Sequence, residues 1–396
     1  MSVSNSARHY GSMSRAFHWA TALLILTAFP IGLYALNLPL DTAEELARKT
    51  WFFSLHKTLG VSAFFVALAR ILWAFTQTRP QPLHPERKLE VFAAETVHWS
   101  LYIALVAVPL SGWIHHAAVD GFAPIWWPFG QNLPLVPKSE TLAVLMTAMH
   151  WLFTKVLLVS LVLHIVGAVK YAVIDRDATI ARMTKGTFAG PNGPVAHNAL
   201  PLIAALVIWL GAIAAAFGLA KPVTEVAAPQ EHAQTAGNWQ VNSGTLQFIV
   251  RQMGSEVTGQ FGAWTAEITF DETAQEGKHG NVEVSIDTTS LTLGTVTDQA
   301  KGKDFFDSVT FATAIFKADI LPDGDDYTAA GALTLRGLEK PVSLPFTLQI
   351  EGDTAQMQGE TTLDRRDFEM GVNYKDESSV GFSVKVKVDL TATRSQ

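Results

Sequence analysis

The stretch MHWLFTKVLLVSLVLHIVGAVKY, Met149 to Tyr171, is apolar enough to lie in lipid, yet it carries His150 and His164. Fourteen residues at about 100° each complete nearly four turns, so both imidazoles face one side of a helix, about 21 Å apart along its axis. That separation approaches the depth of a bilayer core. His18 in SRAFHWA and His56 in SLHKTLG lie in two other apolar runs. A neutral imidazole in a membrane needs a partner, and one alone is commonly satisfied by an interhelical hydrogen bond or by anchoring at the interface. Four that fall into two depth-matched pairs, His56 with His150 and His18 with His164, point instead to metal. One histidine from each of two facing helices, with no carboxylate or thiolate alongside, suits bis-histidine b-type haem better than zinc, which takes three or four protein ligands. Arg70 follows His56 by fourteen residues on the same face. It could hold a haem propionate or snorkel to the surface. Lys155 could serve the other level or snorkel outward, and His98, His115 and His116 could bind quinone, relay protons or replace one of the four ligands.

The elements that must position these groups are legible in the composition. Only 16% of the 396 residues are charged, and the apolar surplus falls in five runs, near Phe17–Leu36, Phe53–Phe75, Phe92–Ile114, Leu142–Val173 and Ala199–Leu219. Each is long enough to span a bilayer. The first is long and lacks a small-residue cleavage site, so it is expected to stay as a membrane helix. There is no cysteine, which excludes disulfides, thiolate metal sites, iron–sulfur clusters and covalently attached c-type haem. The net charge of −7 argues against a nucleic-acid partner. Arg8 and Arg15, then Arg79, Arg87 and Lys88, then Arg176, Arg182 and Lys185 mark alternate connections as cytoplasmic. The N-terminus is therefore expected inside. An odd number of spans then leaves everything after Lys221 in the periplasm of a bacterial cell, beyond an inner membrane crossed several times.

Residues 221–236 are Ala, Pro and polar residues without periodicity and read as a linker. Beyond it come alternating segments, TLQFIV, TAEITF, VEVSID, ATAIFKADI, YTAAGALTL, LPFTLQI and VKVKVDLTA, punctuated by Gly, Asp and Asn. About eight antiparallel strands in such a length point to a closed up-and-down barrel, which can enclose one small ligand or be filled by its own side chains. The expected organisation is a di-haem bundle over 1–190, a fifth membrane helix over 191–220, the linker, and a barrel over 237–396.

Both halves resemble known families. HKTLG followed by Arg70, then VHWSLYIALVAVPLSGW, the His150/His164 pair and DRDATIARMTKG resemble the bacterial cytochrome b561 family over about residues 13–186. The resemblance implies a four-helix membrane bundle with two b haems per chain that exchanges electrons with quinone, in a family some of whose members are implicated in superoxide oxidation. The family's ligand positions match His18, His56, His150 and His164. The fifth span departs from it, and its expected role is to deliver the C-terminus outside. WQVNSGTLQFIVRQMGSEVTGQFG, VSIDTTSLTLGT, KDFFD, ALTLRGLEKPVSLPF and TTLDRRDFEMGV resemble the YceI family. This implies a lipocalin-like barrel that binds isoprenoid lipids such as polyprenyl quinones, ubiquinone among them, although Gly244 and Gln252 stand where members often carry histidine. Phe248, Trp264, Phe305 and Phe306 are the expected contacts for ring or tail. The chain is thus expected to be an electron-transfer oxidoreductase working between quinone and a periplasmic donor or acceptor. The second reading is a membrane-anchored isoprenoid carrier or sensor whose haems are structural or regulatory.

Overall fold

The computed structural model describes residues 2–39, 42–119, 123–191, 198–220, 237–294 and 296–395. Its contacts divide the chain into a helical unit and a β unit. The expected linker at 221–236 lies outside the described residues.

Among the described residues five helices are long and apolar enough to cross a membrane. They are α1 (Ser12–Leu36), α2 (Ala43–Phe75), α3 (Lys88–Ala118), α4 (Glu140–Val173) and, after the short α5 (Thr179–Thr184), α6 (Leu200–Leu219). Even α6, with 20 residues, reaches about 30 Å. Helices α2 and α3 start before their apolar runs, because AEELARKTWF and KLEV are themselves good helix formers that propagate the turn. Large apolar side chains such as Leu23, Leu72, Val166 and Leu210 remain exposed, as a lipid-facing surface requires.

Helices α3, α4 and α6 share a core of Ala104, Val108, Phe153, Leu157 and Trp209. At its centre the Trp209 indole donates to Ser100 Oγ at 3.1 Å, and Ser100 Oγ lies 2.9 Å from Ser160 Oγ. The fifth span is therefore a packed member of the bundle, beyond any role in delivering the C-terminus. Where α3 begins and α4 ends, Lys170 bridges Glu90 at 2.7 Å and Asp175 at 2.8 Å, and Arg87 reaches Asp175 at 3.0 Å. These bonds hold the Asp175 carboxyl below its ordinary pKa, the one from Lys170 foremost.

The β unit comprises β1 (Trp239–Gln252), β2 (Ser255–Phe261), β3 (Trp264–Gln275), β4 (Lys278–Asp287), β5 (Leu291–Thr292), β6 (Thr313–Asp323), β7 (Asp326–Leu335), β8 (Leu338–Glu351), β9 (Thr354–Asp364) and β10 (Val380–Arg394), with a short helix, α7 (Thr297–Lys301), between β5 and β6. The ladder runs β10, β9, β8, β7, β6, β4, β3, β1 and closes by pairing β1 with β10, an antiparallel barrel of eight strands. Strands β2 and β3 are one bent strand. Leu246 pairs Phe261 and Trp239 pairs Ile268 in a single register, interrupted at Gly262 and Ala263.

Alternate residues fill the interior, with Trp264, Ala266, Ile268 and Phe270 on β3 and Val384, Val386, Val388, Leu390 and Ala392 on β10 among them. On β1 the buried residues change parity, from Trp239 and Val241 to Leu246, Phe248 and Gln252, because the register shifts between Val241 and Ser243. Pro345 on β8 has no N–H to donate, and the ladder to β9 begins only at Phe346.

Candidate haem site and barrel cavity

The helical unit brings the four predicted histidines together in two pairs. His56 on α2 faces His150 on α4 with ring centroids 6.4 Å apart, and His18 on α1 faces His164 on α4 at 6.1 Å. A metal–imidazole bond is about 2 Å and the ring centre lies about 1.1 Å behind the nitrogen, so two imidazoles trans across one metal have centroids about 6.2 Å apart. Both pairs fit that span. No group of three or more His, Asp or Glu that could hold a metal ion occurs among the described residues, so each level offers a facing pair of imidazoles.

The His56 and His150 rings are oriented in the same way. Each Nδ1–H donates to a backbone carbonyl on a neighbouring helix, His56 to Ala28 at 2.8 Å and His150 to Val108 at 2.9 Å. A carbonyl can only accept, so Nδ1 carries the proton and Nε2 keeps the lone pair that a metal would need. Four residues after each acceptor stands a glycine. A side chain at that position leans back over the carbonyl one turn earlier. A Cβ at Gly32 would lie 2.6 Å from His56 Nδ1, and one at Gly112 would lie 3.0 Å from His150 Nδ1. The segments AFPIG on α1 and VPLSG on α3 therefore build matching cradles. Sequence reasoning missed both, although the recurrence of Pro and Gly near the ends of two apolar runs was a usable signal.

The second level has a third imidazole. His98 on α3 lies 5.1 Å from His164 and donates from Nδ1 to Ala94 at 2.6 Å. Two rings that each sit about 3.1 Å from a metal and only 5.1 Å from one another subtend far less than a straight angle, so His98 does not fit as the trans partner of His164. His115 donates to Ala143 at 3.0 Å and stacks edge-on with His116 at 4.4 Å. Arg70 places its guanidinium over the Tyr102 ring at 5.1 Å, and the Lys155 ammonium lies 5.3 Å from the Trp151 ring. Facing histidine pairs at these separations, with Nε2 left as an acceptor on His56 and His150, fit b-type haem, which when bound supplies a one-electron Fe(III)/Fe(II) couple.

In the β unit the barrel encloses a cavity of about 270 Å³, and Phe248, Trp264, Phe305 and Phe306 all line it. Phe248 and Phe306 rings are 5.9 Å apart, and Phe261 lies within 5.6 Å of both. Arg365, also in the lining, is 4% exposed and sends its guanidinium donors to five backbone carbonyls, those of Gly381, Met370, Gly371, Tyr374 and Val380. Burial pulls its pKa down from the ordinary arginine value.

Residues 9–186 match the family model for prokaryotic cytochrome b561, and residues 238–392 match the YceI-like domain. Cytochrome b561 homolog 2 of Escherichia coli (strain K12) is 31% identical over 191 residues, which cover 46% of this chain and 95% of that protein. A probable superoxide oxidase CybB of Yersinia pestis is 22% identical over 177 residues, 44% of this chain and 96% of that protein. Among solved structures, BcnA of Burkholderia cenocepacia is 32% identical and aligns with a TM-score of 0.36 over 38% of this chain and 96% of its own.

Proposed function

The chain belongs to the prokaryotic cytochrome b561 family and carries a YceI-like domain after its helices, and from that premise we propose a di-haem cytochrome that moves electrons between a membrane quinone and a partner outside the inner membrane. Family membership makes it a multi-pass bacterial membrane protein with b-type haem and an electron-transfer role. The finer reading assigns one haem to His56 and His150, a second to His18 and His164, and a propionate contact to Arg70. The observation that carries it is the pair of centroid separations, 6.4 and 6.1 Å, each bridging two helices. Similarity to a probable superoxide oxidase makes superoxide the first outer electron donor to try. The barrel, with its aromatic and aliphatic lining, is read as holding an isoprenoid lipid, ubiquinone among the candidates. Each CH₂ of such a tail moved out of water contributes about 0.8 kcal/mol, so a predominantly apolar cavity can retain it without a charged anchor.

The test is a reduced-minus-oxidised spectrum of the purified full chain with haem counted per chain. Two haems are expected. His56→Ala or His150→Ala should remove one, and His18→Ala or His164→Ala the other. A wild-type protein without a haem spectrum, or full haem content in all four variants, contradicts the reading. Rapid reduction of both haems by quinol or superoxide separates electron transfer from a structural role for the haem.

A further inference from the structure

The barrel cavity is apolar along its length apart from the Thr361 hydroxyl, which donates to the Ser343 carbonyl at 2.8 Å, and a cluster of polar groups at one end. The amide and charged side chains in its lining are Gln252, Gln299 and Arg365, and they sit together. Gln252 pairs across the sheet with Val380, whose carbonyl takes a hydrogen bond from Arg365 at 3.2 Å. Gln299 donates to the Tyr374 hydroxyl at 3.1 Å, and the Tyr374 carbonyl accepts from Arg365 at 2.7 Å. The far end, around Trp239, Phe270, Ile320 and Ala392, has only the Trp239 indole N–H as a polar group, and that donates to the Phe270 carbonyl at 3.2 Å.

Arg365 and Gln299 already have their partners. The Arg365 guanidinium is held by its five carbonyls, and the Gln299 amide by Tyr374. Gln252 differs. It is 5% exposed, it shares the inward parity of Leu246 and Phe248, and its Oε1 has no hydrogen-bond partner. A buried carboxamide oxygen left unpaired is costly, and in a native fold it calls for an explanation. The unpaired oxygen can only accept, so it calls for a head that donates, such as an alcohol or a phenol, and a ketone oxygen cannot satisfy it. The amide cannot balance a phosphate or carboxylate, and releasing Arg365 to do so would strand five buried carbonyls.

We propose that Gln252 is the head-group anchor of the barrel, and that the cavity takes an isoprenoid whose head is neutral and donates a hydrogen bond, a quinol, prenyl phenol or prenol, in preference to a prenyl phosphate. This rests on the reading that the barrel holds an isoprenoid, and it adds the orientation: head at the Gln252 end, tail toward Trp239.

The experiment titrates the full chain in lipid nanodiscs with farnesol, farnesyl phosphate and the headless hydrocarbon farnesane, counting retained ligand by native mass spectrometry. Wild type should hold farnesol about tenfold more tightly than either of the others. Gln252→Leu should lose that preference by about tenfold while retaining farnesane as before, and without ligand it should melt no lower than wild type, since no satisfied bond is removed. Farnesyl phosphate binding wild type as tightly as farnesol overturns the proposal, and so does Gln252→Leu with an unchanged farnesol preference. If wild type holds none of the three probes, the isoprenoid reading of the barrel falls, and this inference with it.

Discussion

Adding one methyl group at Gly32 tests whether the carbonyl cradle orients the His56 ligand. In Gly32→Ala the new Cβ would sit 2.6 Å from Nδ1 and 2.7 Å from Cε1 of His56, so the ring must retreat by about 0.9 Å to reach an ordinary separation of ~3.5 Å. The Nδ1 to Ala28 distance of 2.8 Å then stretches beyond hydrogen-bonding range. In Gly112→Ala the starting contact is 3.0 Å, the retreat about 0.5 Å, and the bond from His150 to Val108 is strained but kept. Loss of an orienting bond behind a metal ligand lowers affinity about 10- to 100-fold. Gly32→Ala should therefore lose haem at the His56 level by that factor, and Gly112→Ala by several-fold at most. Gly211→Ala on α6, where a Cβ meets nothing within 4 Å, is the control and should be neutral or slightly stabilising. Haem-stripped protein is titrated with haem and followed by its visible absorption. Wild-type haem affinity in Gly32→Ala refutes the cradle, and equal loss in Gly32→Ala and Gly211→Ala refutes the geometric argument.

Three further outcomes follow from other parts of the molecule. Alkaline phosphatase fused after Gln396 should be active in the periplasm, given the Lys/Arg distribution and five spans; activity of a cytoplasm-only reporter at that place contradicts the orientation. Arg365→Lys should destabilise the barrel by about 3 kcal/mol or more, because three ammonium donors cannot serve five carbonyls; a chemical-denaturation midpoint equal to wild type disproves that role. Burial first, then the charges of Arg15 and Arg182, holds the His9 imidazole below its ordinary pKa of 6.5. The folded state thus binds fewer protons there than the unfolded chain, so His9 costs nothing at higher pH and lowers stability as pH falls from about 6.5 toward the folded value. His9→Gln should flatten that part of the melting temperature against pH curve; an unchanged slope rules His9 out as its source.

How far each element was legible depended on how rigid the rule connecting it to sequence is. Helix rise is fixed, so fourteen residues between His150 and His164 set their depths before any fold was known, and the pairing with His56 and His18 follows from counting. The lipid-facing runs were legible for the same reason, although charged residues that propagate a helix, as in AEELARKTWF, carried no apolar signal. Strand β9 does not stand out among the alternating segments because three of its inward positions, Ala355, Gly359 and Thr361, are small or polar and leave Met357 and Leu363 isolated. The parity change on β1 was invisible because a bulge is a backbone event that leaves no mark on residue type.

The groups that orient the site were the least legible, and the reason is physical. A ligand announces itself by chemistry, since few residue types bind metal, whereas its support is made of backbone carbonyls that every residue owns. The side chains of Ala28 and Val108 take no part in these bonds, and what fits their carbonyls for the task is the missing Cβ one turn later, at Gly32 and Gly112. The same logic separates Gln252 from Gln299. As residues they are identical, and only the fold gives Gln299 a hydroxyl partner in Tyr374 while leaving the Gln252 oxygen facing an apolar cavity without one. Residue type therefore marks where chemistry is possible, and the partner each group lacks in the folded chain marks where a ligand must supply it.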